Sequence, residues 1–179
     1  MAKRDQLGII SNSSEIESLA STVKDSGGVT FIPALSGLGA PYWNPKATGS
    51  ILGITRGTEK GHIARAALEG IAIRTYEIIQ NMQKDANTQF TNLKVDGGAS
   101  NNNLLMQIQC NIIDANVIRP VITETTALGV GYLAGLGSGY WKSIEDLKNI
   151  WKHDRKFIPE ISNKENILSK WKETINVLY

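Results

Sequence analysis

The residues best suited to chemistry lie in one run, Val95-Asp96-Gly97-Gly98-Ala99-Ser100-Asn101-Asn102-Asn103. An apolar strand is expected to end there, and a helix to begin after the two glycines. Without a Cβ atom, Gly97 and Gly98 can adopt positive φ and let a ligand come close to the backbone. The helix directs unpaired N–H groups and the positive end of its dipole at the same space. The run therefore indicates an anion site, although a tight turn without any ligand has the same pattern.

For four other residues with reactive side chains, a structural role is the preferred interpretation. Asp96 could bind a metal ion or act as a base, but an acid before a Gly-Gly turn more often accepts from local N–H groups. His62 is expected to cap or pack at a helix start, and Arg56 to donate a hydrogen bond to a neighbouring loop. Cys110 is expected to be buried and inert. The sequence shows no cluster of residues at metal-ligand spacing.

Length and composition predict one compact domain. The 179 residues are 41% hydrophobic, which is enough for a real core. The net charge is +2, from 19 basic and 17 acidic residues that are scattered along the chain, so neither nucleic acid nor a membrane surface is an expected partner. One cysteine excludes an internal disulfide and fits a reducing, cytoplasmic setting. No segment approaches the ~20 apolar residues that span a bilayer.

The elements that must position the glycines alternate between strands and helices. Hydrophobic periodicity predicts strands at 30–32, 50–55, 92–95 and 116–119, and helices at 60–84, 102–113 and 127–137, after one or two short helices within 4–26. Asn101 or Asn102 is expected to cap the second long helix, and Thr125 or Thr126 the third. A short helix near 144–151 and a last helix near 163–178 complete the chain.

Three details of packing are also predicted. The apolar stripe of helix 60–84 is expected to consist of Ile63, Ala67, Ile71, Ile78 and Met82, joined by Leu68, Thr75 and Ile79 on the adjacent row. Trp43 is expected to anchor the Gly- and Pro-rich loop 36–49, and Gly53 to mark a bulge or a close approach of another backbone. Gly131 and Gly135 are expected to pack tightly against a neighbouring element.

The alternation of elements predicts an α/β domain with at least some parallel strand pairing. In such sheets ligands bind at the carboxyl ends of strands, where the run Val95–Asn103 lies. Neither common phosphate motif is present, because no G-x-x-x-x-G-K-[ST] occurs and Gly135-x-Gly137-x-Gly139 lacks the G-x-G-x-x-G spacing. A nucleotide would have to be bound in another way.

Two motifs, in order, carry a resemblance to a known family. Val95-Asp96-Gly97-Gly98-Ala99-Ser100 resembles the adenosine-site pattern of the superfamily of actin, heat-shock-70 proteins and sugar kinases. The segment Gly49-x-Ile51-x-Gly53-Ile54, seven residues, then His62-Ile63-x-x-Ala66-x-Leu68-Glu69 resembles a signature of the FGGY family of carbohydrate kinases. Segments 36–43, 55–57, 96–99 and 126–129 resemble the members of that family that phosphorylate glycerol, and the similarity runs over 4–157.

The resemblance implies a ribonuclease H-like (actin-like ATPase) fold and transfer of the γ-phosphoryl group of ATP to glycerol, giving glycerol 3-phosphate, with Mg²⁺ shielding the phosphates. By motif position, Gly98 would offer its backbone to the phosphates and Asn102 its side-chain amide near the adenosine. Gly97 would keep the turn narrow. The resemblance thus implies Gly97, Gly98 and Asn102 as cofactor-binding residues, and it assigns no catalytic residue or metal ligand.

The resemblance covers only the later part of the longer family members. We therefore expect a partial C-terminal nucleotide-binding domain at 4–157 that lacks its first strands, with a C-terminal helix at 158–179 packed on it. The glycerol-binding residues and the general-base aspartate are expected upstream, so the chain alone is expected to be inactive. An unpaired sheet edge favours self-association, and a homo-oligomer is therefore expected.

Three alternatives stay open at this point. Another FGGY kinase, acting on a pentulose or a similar sugar, would share both motifs, since the acceptor is chosen largely by the upstream part. A free-standing actin-like module would bind a nucleotide or a partner without catalysis. A purely structural dimerisation domain would bind no nucleotide, whereas the other interpretations make ATP or ADP the expected ligand.

Overall fold

A computed structural model describes residues 7–160 and 163–179 of the chain. The predicted boundaries at residue 4 lie outside the described residues. A single 3₁₀ turn, Gly98–Asn101, joins β3 to α3. The elements in chain order are α1 (Glu15–Ala20), β1 (Thr30–Ile32), β2 (Ser50–Leu52), α2 (Lys60–Ala86), β3 (Asn92–Lys94), α3 (Asn103–Ile113), β4 (Asn116–Pro120), α4 (Thr125–Gly137), α5 (Ile144–Ile150), β5 (His153–Phe157) and α6 (Lys164–Leu178).

The strands form two small sheets, and the predicted α/β class with partly parallel pairing is confirmed. β3 and β4 run parallel with Leu93 opposite Val117, and α3 makes the crossover between them. β5 pairs antiparallel with β4, so that Val117 lies opposite Phe157, and both side chains are buried. β1 and β2 form a separate antiparallel pair. None of the helices in the described part of the chain is long and apolar enough to cross a membrane.

Helix α2 is the longest element, and its ends have clear local causes. At its start Glu59 and His62 form a capping box, in which the Glu59 N–H donates to Nδ1 of His62 at 3.0 Å. At its end Asn87 adopts the left-handed conformation, with φ 47°. The prediction that His62 caps a helix start is confirmed.

The face that α2 buries agrees with the prediction only in part. Ala67, Leu68 and Ile79 are buried as predicted. Ile71, Ile78 and Met82 are 43%, 43% and 53% exposed, whereas Ala64 and Ala72, which were not predicted, are in the core. Packing distance explains the difference, because small residues let α2 lie close to its neighbours. A Cβ atom at Gly70 would overlap the carbonyl oxygen of Phe31 in β1, and one at Gly61 would overlap Oγ1 of Thr22.

Two turn predictions have opposite outcomes. Gly53 ends β2 with φ 79°, and a Cβ atom there would overlap the carbonyl oxygen of Gly28, so the predicted close approach is confirmed. The prediction that Trp43 anchors its loop is wrong, since its side chain is 77% exposed. The preceding residue, Tyr42, anchors the loop instead.

The anchor is a hydrogen-bond network around the carboxylate of Glu77 in α2. The Tyr42 hydroxyl donates to Oε1 of Glu77, and Nε1 of Trp171 in α6 donates to the same oxygen at 2.8 Å. Arg74 forms an ion pair with the other oxygen and donates to the carbonyl oxygen of Ala40 at 2.7 Å. Burial, followed by the hydrogen bond to Glu77, raises the pKa of Tyr42 to about 12. One carboxylate thus joins α2, the loop at 40–42 and α6.

We predict that Gly70→Ala destabilises the protein although alanine is the better helix former by about 1 kcal/mol. The added Cβ atom must displace the β1 backbone at Phe31, and overpacking of this kind costs about 1–3 kcal/mol. The matched control is Gly131→Ala in α4, where a Cβ atom meets nothing within 4 Å. Urea denaturation should show a loss for Gly70→Ala and a small gain for the control; a gain for both would contradict the described contact.

A second prediction concerns alkaline pH. In the unfolded chain Tyr42 loses its proton near its ordinary pKa of 10, but in the folded protein only near 12. The contribution of Tyr42 to the free energy of unfolding is therefore present below pH 10 and falls as the pH rises to about 12. Tyr42→Phe removes this contribution and, at neutral pH, a hydrogen bond worth roughly 1 kcal/mol. Denaturation curves from pH 8 to 12 should show the stability gap between wild type and variant narrowing; a constant gap argues against the network.

Candidate functional site

The segment Asp96-Gly97-Gly98-Ala99, which we call the glycine turn, follows the end of β3 at the position the sequence predicts. Gly97 has φ 75° and ψ 172°, a conformation that is essentially restricted to glycine. Its N–H donates to the carbonyl oxygen of Thr123 at 2.8 Å, and its own carbonyl oxygen accepts from the N–H and the hydroxyl of the buried Ser100. Positive φ is thus required at Gly97, but Gly98 does not adopt it.

The N–H groups of Gly98 and Ala99, which follow Gly97, have no protein acceptor among the described residues. Both residues are exposed to solvent and are the first two residues of the 3₁₀ turn. A Cβ atom at Gly97 or Gly98 would have no neighbour within 4 Å, so the space in front of the turn is open. Two unpaired backbone donors at an open turn form a site that can bind an anion.

The N-terminus of α3 offers fewer free donors than the sequence suggests. The side-chain oxygen of Asn102 accepts from the N–H of Leu105 at 2.8 Å, which confirms Asn102 as the cap. A carboxylate oxygen of Glu17, from α1, accepts from the N–H of Leu104 at 3.1 Å. Two donors of the first turn are therefore already used inside the protein. The N–H of Asn103, like those of Gly98 and Ala99, has no acceptor among the described residues. The amide nitrogen of Asn102 keeps its two hydrogens for another acceptor.

Arg119 stabilises the 3₁₀ turn through hydrogen bonds. The sequence did not identify this residue as part of the site. Its Nη1 donates to the carbonyl oxygen of Ser100 at 2.9 Å and to Oδ1 of Asn103 at 3.0 Å. Its guanidinium also pairs with Asp154 in β5 at 2.6 Å and lies 5.6 Å from the ring centre of Phe157. Arg119 thus joins β4, β5, the 3₁₀ turn and the start of α3. A single arginine in a half-buried strand was the only signal for it in the sequence.

The hydrogen-bond partner of Asp96 differs from the local N–H groups that were predicted. Its carboxylate accepts from the hydroxyl of Thr125, the first residue of α4, and from no local N–H group among the described residues. The predicted capping of α4 by Thr125 or Thr126 is therefore wrong, since Thr125 holds the turn at Asp96 instead. A groove of about 250 Å³ borders this pair and is lined by Lys94, Val95, Asp96, Pro120, Thr125 and Trp151.

The remaining candidate residues lie away from the turn or have structural roles. Cys110 is fully buried, its thiol donates to the carbonyl oxygen of Ala115 at 3.2 Å, and burial raises its pKa, as expected of an inert cysteine. Arg56 is exposed and forms no hydrogen bond with the described residues, so its predicted structural bond is not found. Within 7–160 and 163–179 no three histidine, cysteine or acidic side chains group as a metal site.

A larger cavity of about 690 Å³ lies elsewhere, between β1, α2 and α6. Its lining includes the partly buried ion pair of Arg65 and Glu69, at 3.2 Å, and burial raises the pKa of Glu69. None of the residues of the glycine turn lines it. We therefore place the candidate site at the turn, where free N–H groups face open space, and not in this larger cavity.

Comparison with known proteins gives a consistent result. Residues 2–138 match the sequence profile described as the C-terminal domain of the FGGY family of carbohydrate kinases. A glycerol kinase of Saccharolobus islandicus (strain M.14.25 / Kamchatka #1) is 56% identical over 174 residues, which cover 96% of this chain and 35% of the relative. A glycerol kinase of Herminiimonas arsenicoxydans is 55% identical over 163 residues, covering 91% of this chain and 33% of the relative.

Solved structures agree. The crystal structure of Plasmodium falciparum glycerol kinase with ADP matches 98% of this chain and 35% of its own, with a TM-score of 0.87 and 32% identity. A ligand-bound xylulose kinase of Lactobacillus acidophilus matches 98% of this chain and 36% of its own with a TM-score of 0.82, but at 23% identity it shows the fold alone. The chain spans about a third of the length of the curated relatives that it matches.

The two glycines of the turn should respond differently to alanine. Gly97→Ala places a side chain in a conformation that costs about 1–3 kcal/mol, whereas Gly98→Ala has ordinary φ and open space. Chemical denaturation should show a clear loss of stability for Gly97→Ala and a change within about 0.5 kcal/mol for Gly98→Ala. Equal losses would mean that the turn is not built as described.

Proposed function

The chain belongs to the FGGY family of carbohydrate kinases, and from this premise we propose that it is the nucleotide-binding part of an ATP-dependent kinase that phosphorylates glycerol. In this reaction the γ-phosphoryl group of ATP is transferred to a hydroxyl of glycerol, giving glycerol 3-phosphate. The observation that carries the proposal is the 56% identity to a glycerol kinase over 174 residues, which include the whole glycine turn.

The geometry of the turn supports a role in holding the nucleotide. The N–H groups of Gly98 and Ala99 are free to donate to phosphate oxygens, and the missing side chain at Gly98 leaves room for a phosphate to approach. Gly97 supplies the backbone conformation that exposes these groups. The free amide hydrogens of Asn102, whose oxygen is fixed by Leu105, are suited to an acceptor on the nucleoside. We propose Gly97, Gly98 and Asn102 as the nucleotide-binding residues.

Mg²⁺ is proposed as a partner of the nucleotide only. A bound Mg²⁺ would neutralise part of the charge on the phosphates. The described residues do not fit a metal site of their own, because no three acidic, histidine or cysteine side chains converge and Asp96 is engaged by Thr125. We therefore assign no residue of this chain to the metal ion.

Glycerol and its catalytic base are proposed to belong to the part of the relatives that lies outside the matched third. The 179-residue polypeptide by itself is therefore expected to bind nucleotide without releasing ADP in response to glycerol. We further propose a cytoplasmic location, assembly as a homo-oligomer, and a division between the nucleotide-binding domain up to Phe157 and the C-terminal segment that includes α6.

Glycerol is favoured over another acceptor by the difference in identity. Among the solved structures, the glycerol kinase of Plasmodium falciparum is 32% identical to the chain, whereas the xylulose and gluconate kinases of Lactobacillus acidophilus are 23% and 24% identical. The curated relatives named above, at 55–56% identity, are glycerol kinases. The two free N–H groups at an open turn favour a domain that binds nucleotide over a purely structural domain.

Titration calorimetry with ADP tests the nucleotide site. The chain should bind ADP, and Gly98→Val should weaken binding at least tenfold, about 1.4 kcal/mol, because the new side chain occupies the space in front of the free N–H groups. The control is Gly137→Val at the far end of α4, where the added side chain also meets open space. Absence of ADP binding by the wild-type chain, or equal affinity in Gly98→Val, would refute the site.

A further inference from the structure

Arg119 in β4 holds the corner between the 3₁₀ turn and α3, yet it makes no hydrogen bond to the groups proposed to bind the nucleotide. Its side chain is 11% exposed. Nη1 donates to the carbonyl oxygen of Ser100 at 2.9 Å and to Oδ1 of Asn103 at 3.0 Å. These two residues flank Asn101 and Asn102, so one nitrogen atom fixes both sides of the corner that carries Asn102.

The other edge of the guanidinium is fixed by β5. Nε and Nη2 both donate to Oδ2 of Asp154, at 2.8 and 2.6 Å. The guanidinium also lies 5.6 Å from the ring centre of the buried Phe157. Asp154 and Phe157 both lie beyond residues 2–138, which match the family profile. The planar fork of an arginine can satisfy two separate edges at once, which the single nitrogen of a lysine cannot do.

Helix α4 gives the turn weaker support. Its hydrogen bond to Asp96, from Thr125, is exposed to solvent, and none of the residues of α4 is buried by the described part of the chain. The predicted tight packing of its glycines is only half present, because a Cβ atom at Gly135 would overlap the ring of Trp141 whereas one at Gly131 would meet nothing within 4 Å. Hydrogen bonds shielded from water are stronger than exposed ones, so the contacts from β4 are the firmer attachment.

We propose that Arg119 is a positioning residue for nucleotide binding, which directs the free donors of the turn without touching the ligand. The inference rests on the proposed function for the identity of that ligand. The N–H and the hydroxyl of Ser100 donate to the carbonyl oxygen of Gly97, so a displacement of Ser100 moves Gly97. The N–H groups of Gly98 and Ala99 move with it. Such donors are effective only within about 0.5 Å of the required geometry.

The substitution Arg119→Lys separates positioning from structural support. Lysine keeps the positive charge and much of the packing on Phe157, but it cannot hold Asp154 and Ser100 together. Titration calorimetry of the 179-residue chain with ADP should show an affinity loss of about tenfold or more, the scale of one hydrogen bond to a charged group. The matched control is Arg155→Lys, because Arg155 lies opposite Arg119 in the sheet, 4.7 Å from the same ring, and donates to no described residue. The ADP affinity of the control should stay within about twofold of wild type.

Chemical rescue adds a readout that a merely structural role would not move. Arg119→Ala leaves a space beside Ser100 and Asp154 that a planar, charged fork can fill. Methylguanidinium should restore most of the ADP affinity lost in this variant, whereas methylammonium, which has a single nitrogen, should not. Circular dichroism and urea denaturation check that each variant is folded. If Arg119→Ala does not fold, the ADP affinity of Arg119→Lys alone decides.

The proposal would be overturned by unchanged ADP affinity in Arg119→Lys, by an equal loss in Arg155→Lys, or by methylguanidinium restoring no more affinity than methylammonium. A lower denaturation midpoint with unchanged ADP affinity would mean that the arginine supports the sheet only. If the wild-type chain itself binds no ADP, the proposed nucleotide site is refuted, and the positioning role with it. ADP binding by the wild type that does not depend on Arg119 refutes the positioning role alone, so the two failures are distinguishable.

Discussion

The carboxylate of Glu77 fixes the position of helix α2, and the rest of the structure depends on that helix. It accepts from Tyr42 and Trp171 and pairs with Arg74, so the loop, the central helix and the C-terminal helix are held at one point. Such a partly buried network is stabilising when every member has a partner, and the described part of the chain leaves no buried side-chain polar atom unpaired. Helix α3 is fixed against α2 by a buried hydrogen bond, in which Gln109 donates to the carbonyl oxygen of Ala72 at 3.2 Å.

The contacts between α2 and α3 also determine the position of the glycine turn. α3 is fixed against α2, and its first turn is held by Glu17 from α1 and by its own cap, Asn102. Arg119 joins the turn to the strands, and Thr123 holds the N–H of Gly97. These contacts fix the turn, and the free N–H groups of Gly98 and Ala99 are thereby left at a defined place. A rigid frame with two free donors is what recognition of an anion requires.

The sequence predicts the local part of this arrangement well and the long-range part poorly. The strand, the two glycines and the cap at Asn102 follow from residue types a few positions apart, and the FGGY motifs add the family. The buried face of α2 was predicted only in part. Leu68 and Ile79 are buried as expected, but hydrophobicity also favours Ile71 and Ile78. Packing distance selects the small residues Ala64 and Ala72 instead. Arg119 could not be predicted, since its partners Ser100, Asn103 and Asp154 are brought together only by the sheet. The pairing of Thr125 with Asp96 has the same cause, because 29 residues separate them.

The free donors of the turn belong to the backbone, and this has a consequence for conformational entropy. A long cationic side chain that binds a phosphate must first be immobilised, at a cost of about 0.5–1.5 kcal/mol for each such side chain. The N–H groups of Gly98 and Ala99 were already ordered when the chain folded, because Gly97, Ser100 and Arg119 fix the turn. The entropy of ordering this half of the site is therefore lost once, during folding, and not again each time a ligand binds.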